Sequence, residues 1–223
     1  MISLVCDIPH IYLPRAELVK INCNYNLYKD VALFWVQNDG QAVISLLDGN
    51  MTIYNINAQT EELRQFINVI SPLSVFSDAQ TLENLFGKNF HRVCVMKSEY
   101  KFKSKLKSES LNSKEIYELL DVDGLELPPY EYFAVDFCHR LNHGYLKYFA
   151  QKGECAAVCI TDGATALLNG IASHKKGMGS AALCGVLSKY DDRPILAVCE
   201  QGVCGFYQKN NFEHIYDAGY WRK

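Results

Sequence analysis

The sequence predicts a mixed α/β fold assembled from two copies of one unit, and three observations carry that prediction. Strand-like apolar runs alternate with amphipathic helical stretches over residues 31–90. The same order of elements returns over residues 155–212. Three short segments also match between the copies at an offset of about 122 residues. Asn38-Asp39-Gly40-Gln41-Ala42 lies against Thr161-Asp162-Gly163-Ala164-Thr165. Ser71-Pro72-Leu73 lies against Arg193-Pro194-Ile195, and Phe86-Gly87-Lys88-Asn89-Phe90 against Gln208-Lys209-Asn210-Asn211-Phe212.

The elements follow in order. Residues 31–37 and 41–47 are apolar strands joined by the turn signal Asn38-Asp39-Gly40, and Asp48-Gly49-Asn50 turns the chain again into a strand over 51–56. A helix then starts at Thr60, read as its N-cap, with Glu61 and Glu62 in the first turn and Leu63, Phe66, Ile67 and Ile70 on one face. Pro72 ends it. A short strand over 73–76 follows, and Asp78 is placed to cap a helix running to Phe86-Gly87. In the second copy, residues 155–160 and 164–171 are strands about Thr161-Asp162-Gly163. A glycine-containing loop leads to a helix through Ala181, Leu183, Val186 and Leu187. Pro194 precedes a strand over 195–198, and a second helix reaches Tyr207.

Bulk properties narrow the class. Hydrophobic residues make up 49% and charged residues 21% of the 223, which is the composition of a soluble globular chain rather than a disordered or fibrous one. A net charge of −3 and a pI near 6.1 supply no basic field for nucleic acid or an anionic membrane. No apolar run approaches the length of a spanning helix, and the N-terminus lacks the pattern of a signal peptide. The nine cysteines form no C-x-x-C pair and sit mostly in apolar runs, as free thiols do in a reducing, cytoplasmic protein. Lys101, Lys103, Lys105, Lys107 and Lys114 lie between the copies with Phe102 as their one interleaved aromatic, a pattern of a solvated linker or an exposed strand edge.

The segment His174-Lys175-Lys176-Gly177-Met178-Gly179-Ser180 joins an apolar strand to an apolar helix. Glycines let backbone N–H groups approach a ligand, and the helix N-terminus adds unpaired donors and the positive end of its dipole. With two lysines at the rim, this chemistry suits a phosphate or pyrophosphate. The spacing departs from the P-loop, since Gly177 has no glycine five residues before it, and a dinucleotide fingerprint would place Ala182 at its third glycine.

The loop resembles the pyrophosphate loop of the GNAT acetyltransferase superfamily, [QR]-x-x-G-x-[GA], with His174 at the position usually held by Gln or Arg. The segment Phe206-Tyr207-Gln208-Lys209-Asn210-Asn211-Phe212 resembles the aromatic tail motif of the same family, about 30 residues on and across one strand, as that family spaces them. The resemblance covers residues 130–223 and, through the repeat, more loosely 28–98. It implies a twisted, mixed, largely antiparallel sheet flanked by helices in each unit, with the 164–171 strand splaying from the 195–198 strand. Acetyl-CoA would enter that split, its pantetheine pairing with backbone near Gly170, Ile171 and Ser173. Its pyrophosphate would lie on the amides of Lys176, Gly177, Met178, Gly179 and Ser180. The resemblance further makes Tyr207 the proton donor to the leaving thiolate, a role a phenol suits.

No general base is marked. Glu200 stands where family members often keep an asparagine, so it is as much a departure as a candidate. If residues 136–144 are helical, His139 and His143 lie one turn apart on one face and are candidates to line the acceptor pocket. No third ligand is spaced to complete a metal site with them, so no metal is expected. The first copy has only Asn57-Ala58-Gln59 where the second has its loop, and Glu61 and Glu62 would repel a pyrophosphate. The expected organisation is a degenerate unit over 1–100, a linker over 101–128 and a coenzyme-binding unit over 129–223. The expected function is acetyl transfer to a primary amine of a small molecule or peptide, in the cytoplasm, without nucleic acid or membrane. The alternative is a non-catalytic acyl-CoA-binding or sensor module. A homodimer is left open.

Overall fold

In the computed structural model, which describes residues 1–9, 11–190 and 192–223 (of Asp39 the backbone alone), the strands join in one 11-stranded sheet. The first half of the chain runs β1 (Ile2–Leu4), α1 (Ala16–Tyr28), β2 (Leu33–Gln37), β3 (Ala42–Leu47) and β4 (Asn50–Asn55). It continues through α2 (Thr60–Ile70), β5 (Ser74–Asp78), α3 (Ala79–Phe86) and β6 (His91–Ser98). The second half runs α4 (Ser113–Leu120), α5 (Tyr130–Asn142), β7 (Leu146–Gln151), β8 (Cys155–Thr161) and β9 (Ala166–Ser173). It closes with α6 (Met178–Leu187), β10 (Ile195–Cys199), α7 (Cys204–Lys209) and β11 (Glu213–Arg222). Among the described residues no helix is long and apolar enough to cross a membrane.

The sheet is mixed and largely antiparallel. In the first half β2, β3 and β4 pair antiparallel and β4 then pairs parallel with β5. In the second half β7, β8 and β9 pair antiparallel and β9 then pairs parallel with β10. The last strand of each half crosses to the other: β6 lies beside β10, and β11 lies between β5 and β6. The expected two sheets are therefore one, because each half completes its edge with the other half's final strand and leaves no open edge at the seam.

Side chains alternate across this sheet as strand geometry requires. Helices α1, α4 and α5 cover one face, burying Val19, Ile116, Leu120 and Phe137 against Val95, Val158, Leu167 and Leu196. Helices α6 and α7 cover the opposite face over Cys94, Ala157, Leu168 and Ala197, and α2 and α3 cover it over Ile53 and Val75. Strand β8 is buried along its whole length, with Ala156, Val158 and Ile160 toward one layer and Cys155, Ala157 and Cys159 toward the other. There the cysteines pack as small hydrophobes. Of the nine thiols, Cys6 and Cys138 are exposed, and Cys184 and Cys204 are half-buried.

Local details depart from the sequence reading in three places. Asn38-Asp39-Gly40 joins β2 to β3, whereas Asp162-Gly163 joins β8 to β9, so the topological counterpart of the latter is Asp48-Gly49 between β3 and β4. Both hairpins of the first half carry an Asp-Gly turn signal, which is how a match can slip by one hairpin; the two later matched segments lie at the same places in the topology, at the starts of β5 and β10 and ahead of β6 and β11. Thr60 is the first residue of α2, and Gln59 is its N-cap. The segment 101–128 contains α4, started by an Asn112–Glu115 capping box, with Ile116, Leu119 and Leu120 in the core. Ahead of it, the chain lies along β7: Glu109 N–H donates to Ala150 O at 2.9 Å, and Ala150 N–H donates to Ser108 Oγ at 3.1 Å.

Candidate active site

The site begins where two parallel strands separate. Pairing of β9 with β10 runs from Ala166–Ile195 to Leu168–Ala197 and stops there. On its other side β9 is bulged at the same point, since Val158 faces Gly170 while Cys159 faces Leu168, leaving Asn169 as the extra residue. A bulge bends and twists its strand. The bend at Asn169 carries β9 away from β10 and opens a cleft of about 1420 Å³ between them. Gly170, Ile171 and Ser173 line one wall, and Val198, Cys199, Glu200 and Tyr207 line the other. Among the described residues the β9 backbone beyond Leu168 has no strand partner toward the cleft, so an extended polar ligand can pair with it.

The glycine loop stands at the mouth of this cleft. Gly177, the N-cap of α6, has φ +86°, a left-handed conformation that costs a side-chain-bearing residue roughly 1–2 kcal/mol. Among the described residues no side chain caps the amides that open α6, and Met178 N–H donates to Lys175 O at 3.1 Å. Gly179 lines the cleft, and a Cβ there would stand 3.5 Å from the Phe206 ring and 3.8 Å from Ser173 Cβ. Lys176 is exposed beside it, while Lys175 is drawn away onto Glu154 at 2.5 Å. His174, the departure at the loop's first position, anchors the loop. Its Nε2 lies 2.9 Å from Leu119 O in the last turn of α4, and its backbone N–H donates to Glu154 O. The loop is thus tied to the helix that roofs the cleft with Leu120.

Tyr207 is buried in α7, edge-on to Phe206 and Phe212, and lines the cleft. Burial first, then the neighbouring Cys199 and Cys204 thiols, pushes its phenol well above the ordinary tyrosine range. It therefore holds its proton at any neutral pH. Across the cleft mouth Glu200 Oε1 lies 2.7 Å from Nε2 of His91, which also lines the cleft. His91 belongs to β6 of the first half, and nothing in its local sequence marks it, because the strand crossing that delivers it is a long-range event. The far end of the cleft carries the Arg222–Glu126 ion pair, with Tyr220 and Lys20 beside it. The Arg222 guanidinium holds the Glu126 carboxyl below the usual carboxylate range.

His139 and His143 do not line the cleft. They end α5 with ring centroids 4.4 Å apart, and His139 rests against Tyr28 of α1. His139 and Asp136, which accepts from Tyr28 Oη at 2.6 Å, face α1, whereas Phe133 and Phe137 of the same helix reach the cleft. The matching split in the first half is closed by its own side chains. Ser77 Oγ donates to Ile53 O at 2.8 Å, and Asn55 Nδ2 donates to Thr81 Oγ1 at 2.9 Å. At the start of α2, Glu62 accepts from Ile2 N–H and from Gln37 Nε2.

Solved structures that share this architecture include GNAT acetyltransferases. A tandem GNAT protein from the clavulanic acid biosynthesis pathway matches with a TM-score of 0.56 at 10% identity, over 94% of this chain and 89% of its own. A candidate acetyltransferase of Pyrococcus horikoshii matches with a TM-score of 0.55 at 10% identity, over 92% and 78%. A conserved Staphylococcus epidermidis protein of unknown function matches at 0.51 and 12%, over 83% and 91%. No protein-family model matches the sequence, and no curated protein is significantly similar to it. The chain has the GNAT superfamily fold.

Proposed function

We propose that this protein is an acyltransferase that moves an acetyl group from acetyl-CoA to the primary amine of an acceptor. The observation that carries the reading is one juxtaposition: the β9 edge left by β10 beyond Leu168, the N-terminus of α6 without a side-chain cap and the buried Tyr207 all face one cleft. Gly170, Ile171 and Ser173 would pair with the pantetheine amides. Lys176, Gly177, Met178, Gly179 and Ser180 would hold the pyrophosphate through backbone donors and the helix dipole. In the reaction the amine nitrogen bonds to the thioester carbonyl carbon and the C–S bond breaks. The departing thiolate takes its proton from the Tyr207 hydroxyl, and the Glu200–His91 pair at the cleft mouth accepts the proton the amine gives up.

The first experiment is calorimetric titration with acetyl-CoA, and failure to bind at millimolar coenzyme sinks the reading. Tyr207→Phe is then expected to lower kcat by roughly 10²–10⁴-fold, the range for general acid catalysis, with coenzyme affinity unchanged. Equal turnover in that variant would remove Tyr207 from the chemistry. Thioester consumption over a broad amine panel separates the enzyme from a module that binds coenzyme and turns nothing over.

A further inference from the structure

Where the exchanged strands β6 and β11 meet, three side chains of different chemistry converge outside the cleft machinery. Cys94 of β6 faces Asp217 of β11 across the antiparallel pair. In a regular strand His214 and Asp217, three residues apart, would point to opposite faces. The register shift between His214 and Tyr216 makes Ile215 an extra residue, so His214 faces Met96 while Asp217 faces Cys94. Met96 and Cys94 are two apart on β6 and share a face, which brings His214 and Asp217 onto it together. Sγ of Cys94, a ring nitrogen of His214 and a carboxylate oxygen of Asp217 all lie within 4.8 Å of one another, and this is the one such trio among the described residues.

We propose that Cys94, His214 and Asp217 form a binding site for a divalent transition-metal ion of the zinc class, clamping β6 to β11. The donor set names the class: one thiolate, one imidazole and one carboxylate suit a borderline-soft cation and exclude magnesium or calcium, which take oxygen shells. The geometry is near what such an ion needs. Ligand atoms 2.0–2.3 Å from a tetrahedral centre stand about 3.3–3.8 Å apart, so the site forms when the widest separations, at most 4.8 Å, close by about an ångström and the His214–Asp217 contact opens by about half of one. His214 Nε2 is already 2.8 Å from Asp217 Oδ1, while Arg92 holds Asp217 from the other oxygen, Oδ2, at 3.1 Å. Oδ1 therefore faces the trio and Arg92 orients the carboxylate from outside, as outer partners of metal ligands do. Glu83, 3.5 Å from Arg92, offsets that guanidinium, so the thiolate and carboxylate leave negative charge in excess for a dication. Cys94 is buried, but His214 is exposed and Asp217 half-exposed, which gives the ion a path from solvent. Three protein donors leave one position for water. Bridging the two strands that join the halves, the ion would tie the seam together, and this site stands independently of acetyl transfer.

The test uses the full chain, stripped with a chelator and titrated with Co²⁺ and then Zn²⁺. One Co²⁺ per chain is expected, with thiolate-to-cobalt charge-transfer absorption that Zn²⁺ abolishes by displacement. Cys94→Ser should lose the absorption. His214→Gln and Asp217→Asn should each weaken affinity by more than about 10-fold, since even outer partners of a metal site are worth that much. The proposal is overturned if no stoichiometric ion binds, if the band survives Cys94→Ser, or if His214→Gln binds as tightly as the parent. Cys94 is buried and its variant can misfold; His214 is on the surface, so His214→Gln decides the question by itself.

Discussion

A carboxyl group inside a protein is cheaper neutral than charged, and Glu17 is inside. Its side chain has no solvent exposure, accepts from Tyr216 Oη at 2.8 Å and lies 3.5 Å from Arg15 Nε. Burial dominates and raises its pKa above 4.5, against the smaller lowering effects of Arg15 and Tyr216. A raised folded-state pKa means that the folded chain keeps a proton that the unfolded chain has lost. The contribution to stability is complete below about pH 4.5 and falls as pH climbs through the folded pKa. Glu17→Gln has no such loss, so its stability relative to the parent should rise across that window. Urea unfolding of both proteins from about pH 4 to 8 measures this, and a gap that stays flat would show that Glu17 does not titrate there. The residue scale is also where the sequence was most and least informative. The 174–180 loop and Tyr207 were legible because their chemistry is local, a glycine turn before a helix and an aromatic pair near the end of one. His91 was not, since its role depends on β6 crossing into the second half. Nor was the use of His174, which depends on where α4 ends.

Helix α6 carries two glycines, Gly179 and Gly185, whose surroundings differ. At Gly185 a Cβ would fall 2.1 Å from the Phe149 ring, which is itself buried in β7, so the helix sits as close to the sheet as its backbone allows. Alanine there gains about 1 kcal/mol of helix propensity. The overlap with an immobile ring costs about 1–3 kcal/mol by overpacking, which outweighs that gain. Gly179 meets nothing closer than 3.5 Å, and what lies beyond its Cα is the cleft. Gly185→Ala should therefore lower the denaturation midpoint and leave the cleft's shape intact, while Gly179→Leu should leave the midpoint in place and block coenzyme. Thermal unfolding with and without acetyl-CoA reads both at once: Gly185→Ala keeps the ligand-induced shift, and Gly179→Leu loses it. Element types were largely legible because burial patterns impose their period on the residues, as in α2 and β8. Correspondence between the halves was less so. The second half spends extra residues on the bulge at Asn169 and on the loop, so no single offset aligns both hairpins and the strands that follow them.

At the scale of the whole molecule the strand crossing decides what can fold alone. Both neighbours of β11 in the sheet, β5 and β6, come from the first half, and both neighbours of β6, β10 and β11, come from the second. Cutting the chain between the halves leaves β11 without any strand partner in one piece and β6 without one in the other. Each piece would expose rows of unpaired backbone and an apolar strand face, the arrangement that aggregates. No local sequence signal announces this: the sequence pattern names no strand over 91–98 or 213–222, and the β6–β11 pairing joins residues more than 100 apart in sequence. Through the crossing the first half supplies β6, and with it His91, to the wall of the cleft. Residues 1–100 and 101–223 expressed separately should each be insoluble or unfolded, and co-expressed they should assemble into one species. In the intact chain the halves should unfold together. The two tryptophans report on this directly, Trp35 from the first-half core and Trp221 from β11 beside Phe86. Single-tryptophan variants, Trp35→Phe and Trp221→Phe, should each be compared with far-UV circular dichroism of the same protein. Fluorescence and dichroism should give one midpoint within each variant, as a single cooperative unit requires. A Trp35 transition clearly separated from the dichroism of its own protein would mean that the halves are independent domains, and the crossing would then be no more than a contact between them.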